Sequence, residues 1–126
     1  KVIALNVSVA NHSPLVAGAV PDFAAFMEKV SFRTPQVPIL FNVTGGLEED
    51  STVMKTIMAR QIASRVCWLP IVERMVAEGV EVIVELGPKN VLTGMMRKIL
   101  PKNAPMTCLQ ADTPAGLAKV AEVLAG

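Results

Sequence analysis

The chain has 126 residues, 52% of them hydrophobic and 18% charged, a length that suits one domain better than two. Twelve basic and eleven acidic residues leave a net charge of +1, which supplies no electrostatic footprint for nucleic acid or an anionic membrane. With one Trp and no Tyr a base-stacking platform is disfavoured, and the apolar runs fall well short of the ~20 residues that cross a bilayer.

The sequence begins at Lys1 and enters strand-like residues at once, with no initiator Met and no signal-peptide architecture, so a piece of a longer protein is expected. Val2 to Val9 alternate and are rich in β-branched residues, which predicts a strand. A break at Ala10-Asn11-His12 follows. Ser13 then stands as a cap with Pro14 in the first turn, and apolar residues recur at Val16, Val20, Phe23, Phe26, Met27 and Val30. Pro21 should kink or split that helix. Pro35 to Asn42 reads as a short buried strand closed by Gly45-Gly46.

A helix is predicted from Asp50 or Ser51 to about Ser64, and another from about Trp68 to Glu78. Leu69, Val72, Met75 and Val76 share a face of the second, and Gly79 stops it. Val80 to Leu86 is the clearest strand, ended by Gly87-Pro88. A helix over Asn90 to Leu100 closes at Pro101, a last strand runs over Pro105 to Gln110, and Thr113-Pro114 starts a terminal helix with Leu117, Val120 and Leu124 on one face. Strands alternating with helices predict an α/β fold with mostly parallel pairing, because helix-sized crossovers join parallel strands.

Taken without relatives, the residues offer one candidate for chemistry. His12 is the single histidine and sits where a strand hands over to a helix, the edge of a parallel sheet at which ligands gather. An imidazole can take and return a proton near neutral pH. The competing reading is a hydrogen-bonded surface histidine. Glu85 to Gly94 (ELGPKNVLTG) places glycine between strand and helix, which allows either a phosphate at a helix N-terminus or a tight turn with close packing. It matches neither the P-loop nor G-x-G-x-x-G. Cys67 and Cys108 lie in apolar surroundings without metal-ligand spacing to the histidine, so reduced, buried thiols in a cytoplasmic protein are expected and no metal site is.

Four stretches carry a resemblance when taken together and in order: VSVANHSPLV (Val7 to Val16), VPILFNVTG (Val37 to Gly45), RQIASRVCW (Arg60 to Trp68) and ELGPKNVLTGM (Glu85 to Met95). They resemble the closing part of the malonyl-CoA:acyl carrier protein transacylase family. The resemblance implies the carboxy-terminal part of a doubly wound, mostly parallel α/β sheet, the α/β-hydrolase-like acyltransferase core, incomplete without an amino-terminal segment. It places residues 1–10 as the last strand of a small subdomain or its link to a large one, and residues 11–126 in the large subdomain.

The chemistry so implied is ping-pong transfer of malonyl from coenzyme A to the phosphopantetheine thiol of acyl carrier protein, through an acyl-serine. The residue matching His12 is general base and acid, and the residue matching Gln61 gives its backbone carbonyl to the other ring nitrogen, where a Ser-His-Asp triad uses an aspartate. Asn11 and Ala10 lie in the motif that shapes acyl-group selectivity. No cofactor is implied beyond malonyl-CoA as substrate and the arm borne by the partner. The chain contains no Gly-x-Ser-x-Gly elbow, and Arg60 and Arg65 do not match the family's malonate-binding arginine. An amino-terminal segment of the same enzyme is therefore the expected partner, and the chain alone is expected to be inactive. A non-catalytic module binding carrier protein or a synthase partner is the alternative.

Overall fold

The computed structural model describes Val2 and residues 7–126. Two units make up the chain, Lys1–Ile71 and Val72–Gly126. In the first, residues 3–6 of the expected opening strand lie outside the described residues, and Val7 to Ala10 are irregular backbone. Ser13 caps as expected: its Oγ accepts from the Leu15 N–H at 3.3 Å. Pro14–Ala19 form a 3-10 helix that passes into α1, Val20–Met27. Pro21 causes the split without breaking α1, because its missing N–H falls in a first turn, where no partner exists for it.

Helix α2, Ser51–Arg60, begins at Asp50, whose carboxylate accepts from Thr52 N–H at 2.8 Å and Val53 N–H at 3.0 Å. Those two amides, Val53 foremost, hold the Asp50 carboxyl below its ordinary range. On the opposite face Met54 and Ile57 bury against Phe41, with Phe32, Ile39, Val43 and Met58 packed around them. Lys55 reaches Glu28 at 3.7 Å and lies 5.9 Å from the centre of the Phe32 ring, linking α2 to the residues after α1.

The strand expected over Pro35 to Asn42 does not form. Only Leu40 bridges, antiparallel to Leu47. Pro35 and Pro38 carry no N–H for a ladder, and the segment turns back on itself instead. Gly45 N–H bonds to the Phe41 carbonyl at 2.8 Å, and Phe41 N–H to the Gly46 carbonyl at 2.9 Å. Gly45 has φ +69°, and a Cβ there would stand 3.0 Å from the Pro70 Cβ, so both backbone and neighbour require glycine. Cys67 closes the same region: its N–H bonds to the Asn42 carbonyl at 2.6 Å and its Sγ lies 3.3 Å from the Val43 carbonyl. Both cysteines are half-buried rather than buried.

Helix α3, Trp68–Ala77, runs from the first unit into the second and ends before Gly79, which has φ +73°. Ile71 and Val72 are its buried residues, whereas Leu69 and Val76, expected on the packed face, are about half exposed. In the second unit β1, Val82–Leu86, pairs parallel with β2, Thr107–Ala111, in register from Val82–Thr107 to Leu86–Ala111. Helix α4, Val91–Ile99, lies in the crossover that parallel pairing demands, with Met96 fully buried. Helix α5, Pro114–Ala125, starts at Thr113, whose hydroxyl accepts from Gly116 N–H at 3.1 Å, and packs on β2. Gly116 permits that approach, since a Cβ there would come within 2.7 Å of the Gln110 carbonyl oxygen. The second unit is thus α/β around a small parallel sheet.

The N-terminus of α4 is capped from outside the helix. Glu85, near the end of β1, accepts from Leu92 N–H at 2.9 Å, and from Thr93 through N–H at 2.8 Å and Oγ1 at 2.9 Å. The Thr93 amide foremost, with the other donors, lowers the Glu85 carboxyl below its ordinary 4.5, against a smaller opposing effect of burial. A depressed folded value stabilises the fold in full above the unfolded value and is lost as pH falls through the folded one. The native chain is therefore expected to lose stability below about pH 4.5, and Glu85→Gln to remove part of that loss. Denaturant midpoints measured from pH 6 downward check this; equal acid dependence in both proteins would contradict it.

Candidate active site

His12 adopts φ 61°, in the left-handed region that side chains other than glycine rarely enter. Two bonds to the 3-10 turn Gln61–Ala63, which continues α2, hold it there. Its N–H donates to the Ile62 carbonyl at 2.6 Å, and its ring Nδ1 lies 2.9 Å from the Gln61 carbonyl oxygen. Backbone and ring are thus anchored on neighbouring carbonyls of one turn.

That carbonyl decides the chemistry of the ring. An amide oxygen only accepts, so Nδ1 must carry the hydrogen, and in the neutral imidazole Nε2 is then left with a lone pair. The ring is exposed, so Nε2 can meet a group brought to it. The turn lies at the carboxyl end of α2, where peptide dipoles place partial negative charge that complements a cation. The Gln61 carbonyl is itself held by Ser64 N–H at 3.2 Å, and the Ser64 hydroxyl donates to the Arg60 carbonyl at 2.8 Å. An acceptor fixed in this way orients an imidazole as a triad carboxylate does, with less charge.

His12 and Gln61, 49 residues apart in sequence, are therefore brought together. Ala10 and Asn11 form the exposed approach to the histidine, and the Ala10 carbonyl accepts from the Ser13 hydroxyl at 2.8 Å. Beside Gln61 lies an apolar groove of about 340 Å³, lined by Ile39, Leu40, Phe41, Met54 and Met58. Sequence reasoning missed the Ile62 carbonyl and the second bond of Ser13; a main-chain acceptor leaves no mark in residue type.

The other candidates fall away on geometry. The Leu92 and Thr93 amides that a phosphate would use at the start of α4 already serve Glu85, so this turn is a packing device. Burial pushes the Cys108 thiol up, with Arg97 only partly opposing it, the reverse of what activates a nucleophilic cysteine. Among the described residues no cluster of His, Cys, Asp and Glu is arranged to hold a metal ion, and no helix is long and apolar enough to cross a membrane.

No family model matches the chain. Over 93% of its length it is 33% identical to a malonyl CoA-acyl carrier protein transacylase of Salmonella typhimurium, covering 37% of that protein. The structure of an acyl carrier protein S-malonyltransferase from Vibrio cholerae matches with a TM-score of 0.82 at 34% identity, over 92% of this chain and 37% of that one. A malonyl-transacylase solved in complex with a type II PKS acyl-carrier protein matches with a TM-score of 0.85 at 30% identity, over 94% of this chain and 38% of that one. The chain spans a little over a third of the length of these relatives.

Proposed function

From the premise that the chain belongs to the malonyl-CoA:acyl carrier protein transacylase family, we propose that it supplies the histidine half of an acyltransferase site. A serine on a companion segment supplies the other half. Its substrates are malonyl-CoA and the phosphopantetheine thiol of acyl carrier protein. The observation that carries this reading is the 2.9 Å contact between His12 Nδ1 and the Gln61 carbonyl, which leaves Nε2 bare on an exposed residue.

In the first half-reaction Nε2 takes the serine proton as Oγ attacks the thioester carbonyl. A C–O bond forms, the C–S bond breaks, and the proton passes to the departing coenzyme A thiolate. In the second, Nε2 takes the proton of the phosphopantetheine thiol, the thiolate attacks the acyl-serine, and the proton returns to the serine oxygen. Gln61 acts through its backbone, holding the tautomer and facing the imidazolium formed at each step. Ala10 and Asn11 border the acyl group. The companion segment completes the doubly wound sheet of which β1 and β2 are part.

Joining this chain to a serine-bearing amino-terminal segment of a relative tests the reading. Malonyl-ester formation on that serine, followed by malonyl transfer to carrier protein, is the expected result, with neither piece active alone. A chain that associates with the segment and with carrier protein yet never yields acyl-serine would instead be a non-catalytic binding module.

A further inference from the structure

We infer that Ser13 is a positioning residue, which sets through the backbone of His12 which imidazole nitrogen stays bare. The inference rests on the reading of His12 as the proton carrier and extends it to the residue that follows it. His12 holds a left-handed backbone at φ 61°, a conformation that must be imposed by its surroundings. The Ser13 hydroxyl closes the chain around it. It donates to the Ala10 carbonyl at 2.8 Å, two residues before the histidine, and accepts from Leu15 N–H at 3.3 Å, three residues after.

Without that hydroxyl, Ala10 to Ser13 loses its closing bond and the following 3-10 helix loses its cap. The single remaining backbone tie, His12 N–H to the Ile62 carbonyl at 2.6 Å, leaves the residue free to turn about φ. Turning about φ swings Cβ and withdraws Nδ1 from the Gln61 oxygen. A neutral imidazole without an acceptor at Nδ1 returns to the form protonated at Nε2, which cannot take a proton there.

Because the chain has one histidine, its ring can be read without ambiguity. The chain is labelled with 15N at histidine and isolated in whatever assembly it occupies, and long-range ring spectra are recorded at a pH where the ring is neutral. The native chain and Ser13→Thr are expected to show Nδ1 protonated and Nε2 bare. Ser13→Ala and Ser13→Val are expected to show the Nε2-protonated form as the major species, with amide-exchange protection of α2 unchanged. A Ser13→Ala ring identical to the native one would overturn the inference, and so would a folded Ser13→Thr chain with its ring reversed. Should the alanine variant not fold, the isosteric threonine and valine pair decides alone. Failure of the parent reading looks different: the tautomers would follow Ser13 as stated while His12→Ala left malonyl transfer unchanged.

Discussion

Replacing His12 by alanine in the assembled enzyme is expected to slow both half-reactions by about 10²–10⁴-fold, the range for removing a general acid–base group. Both should fall, because in the proposed mechanism the same Nε2 serves the serine in one and the carrier thiol in the other. The loss should lie in kcat rather than KM, since proton transfer is felt in the transition state and not in binding. Gln61→Ala supplies the contrast. Its contribution is a main-chain carbonyl 2.9 Å from Nδ1, which alanine keeps, so the rate should stay near the native one. A large loss at Gln61→Ala with little loss at His12→Ala would reverse the roles of the two residues.

The second large effect is on stability. Phe41→Ala is expected to cost ~3–5 kcal/mol, the range for emptying a buried aromatic site, out of the ~5–15 kcal/mol that a domain commonly has. Phe41 is 7% exposed and packs with Met54 and Ile57 of α2, and its backbone makes both bonds of the turn at Gly45 and Gly46. Removing the ring therefore loosens the helix at whose end Gln61 sits. Urea unfolding followed by Trp68 fluorescence measures the change. A loss below about 1 kcal/mol would mean that this cluster is not the core of its unit.

Legibility in the sequence followed the range of the interactions involved. Helix starts were readable because their caps are local: Ser13, Asp50 and Thr113 each bind an amide two or three residues on. Both strands of the sheet were readable, β1 from a β-branched run between Gly79 and Gly87-Pro88 and β2 from a short, largely apolar segment after Pro105, with ends shifted by up to two residues. The supposed strand at Pro35 to Asn42 misled because its apolar run speaks for burial, whereas a strand also needs N–H donors that Pro35 and Pro38 lack. The Glu85 cap was not readable, since strand, turn and helix together bring a carboxylate to amides seven and eight residues away.

At the site, His12 was visible as the single histidine ahead of a helix start, at an expected strand-to-helix junction. Its left-handed backbone was not, because nothing in Ala-Asn-His-Ser calls for it as a glycine would. Gln61 was legible only through the family resemblance, for its part is played by an atom that every residue possesses. What the structure adds is the contact itself, and the means by which it is held: the Ile62 carbonyl on one side and the Ser64 amide on the other.

One hydrogen bond underlies the proposed chemistry, and the ring nitrogens of the native chain report it directly. With His12 as the single 15N-labelled imidazole, the neutral ring should show its hydrogen on Nδ1, bonded to oxygen, and a bare Nε2. A neutral ring protonated chiefly at Nε2 would leave no base facing outward, and proton transfer from the serine would have no starting point.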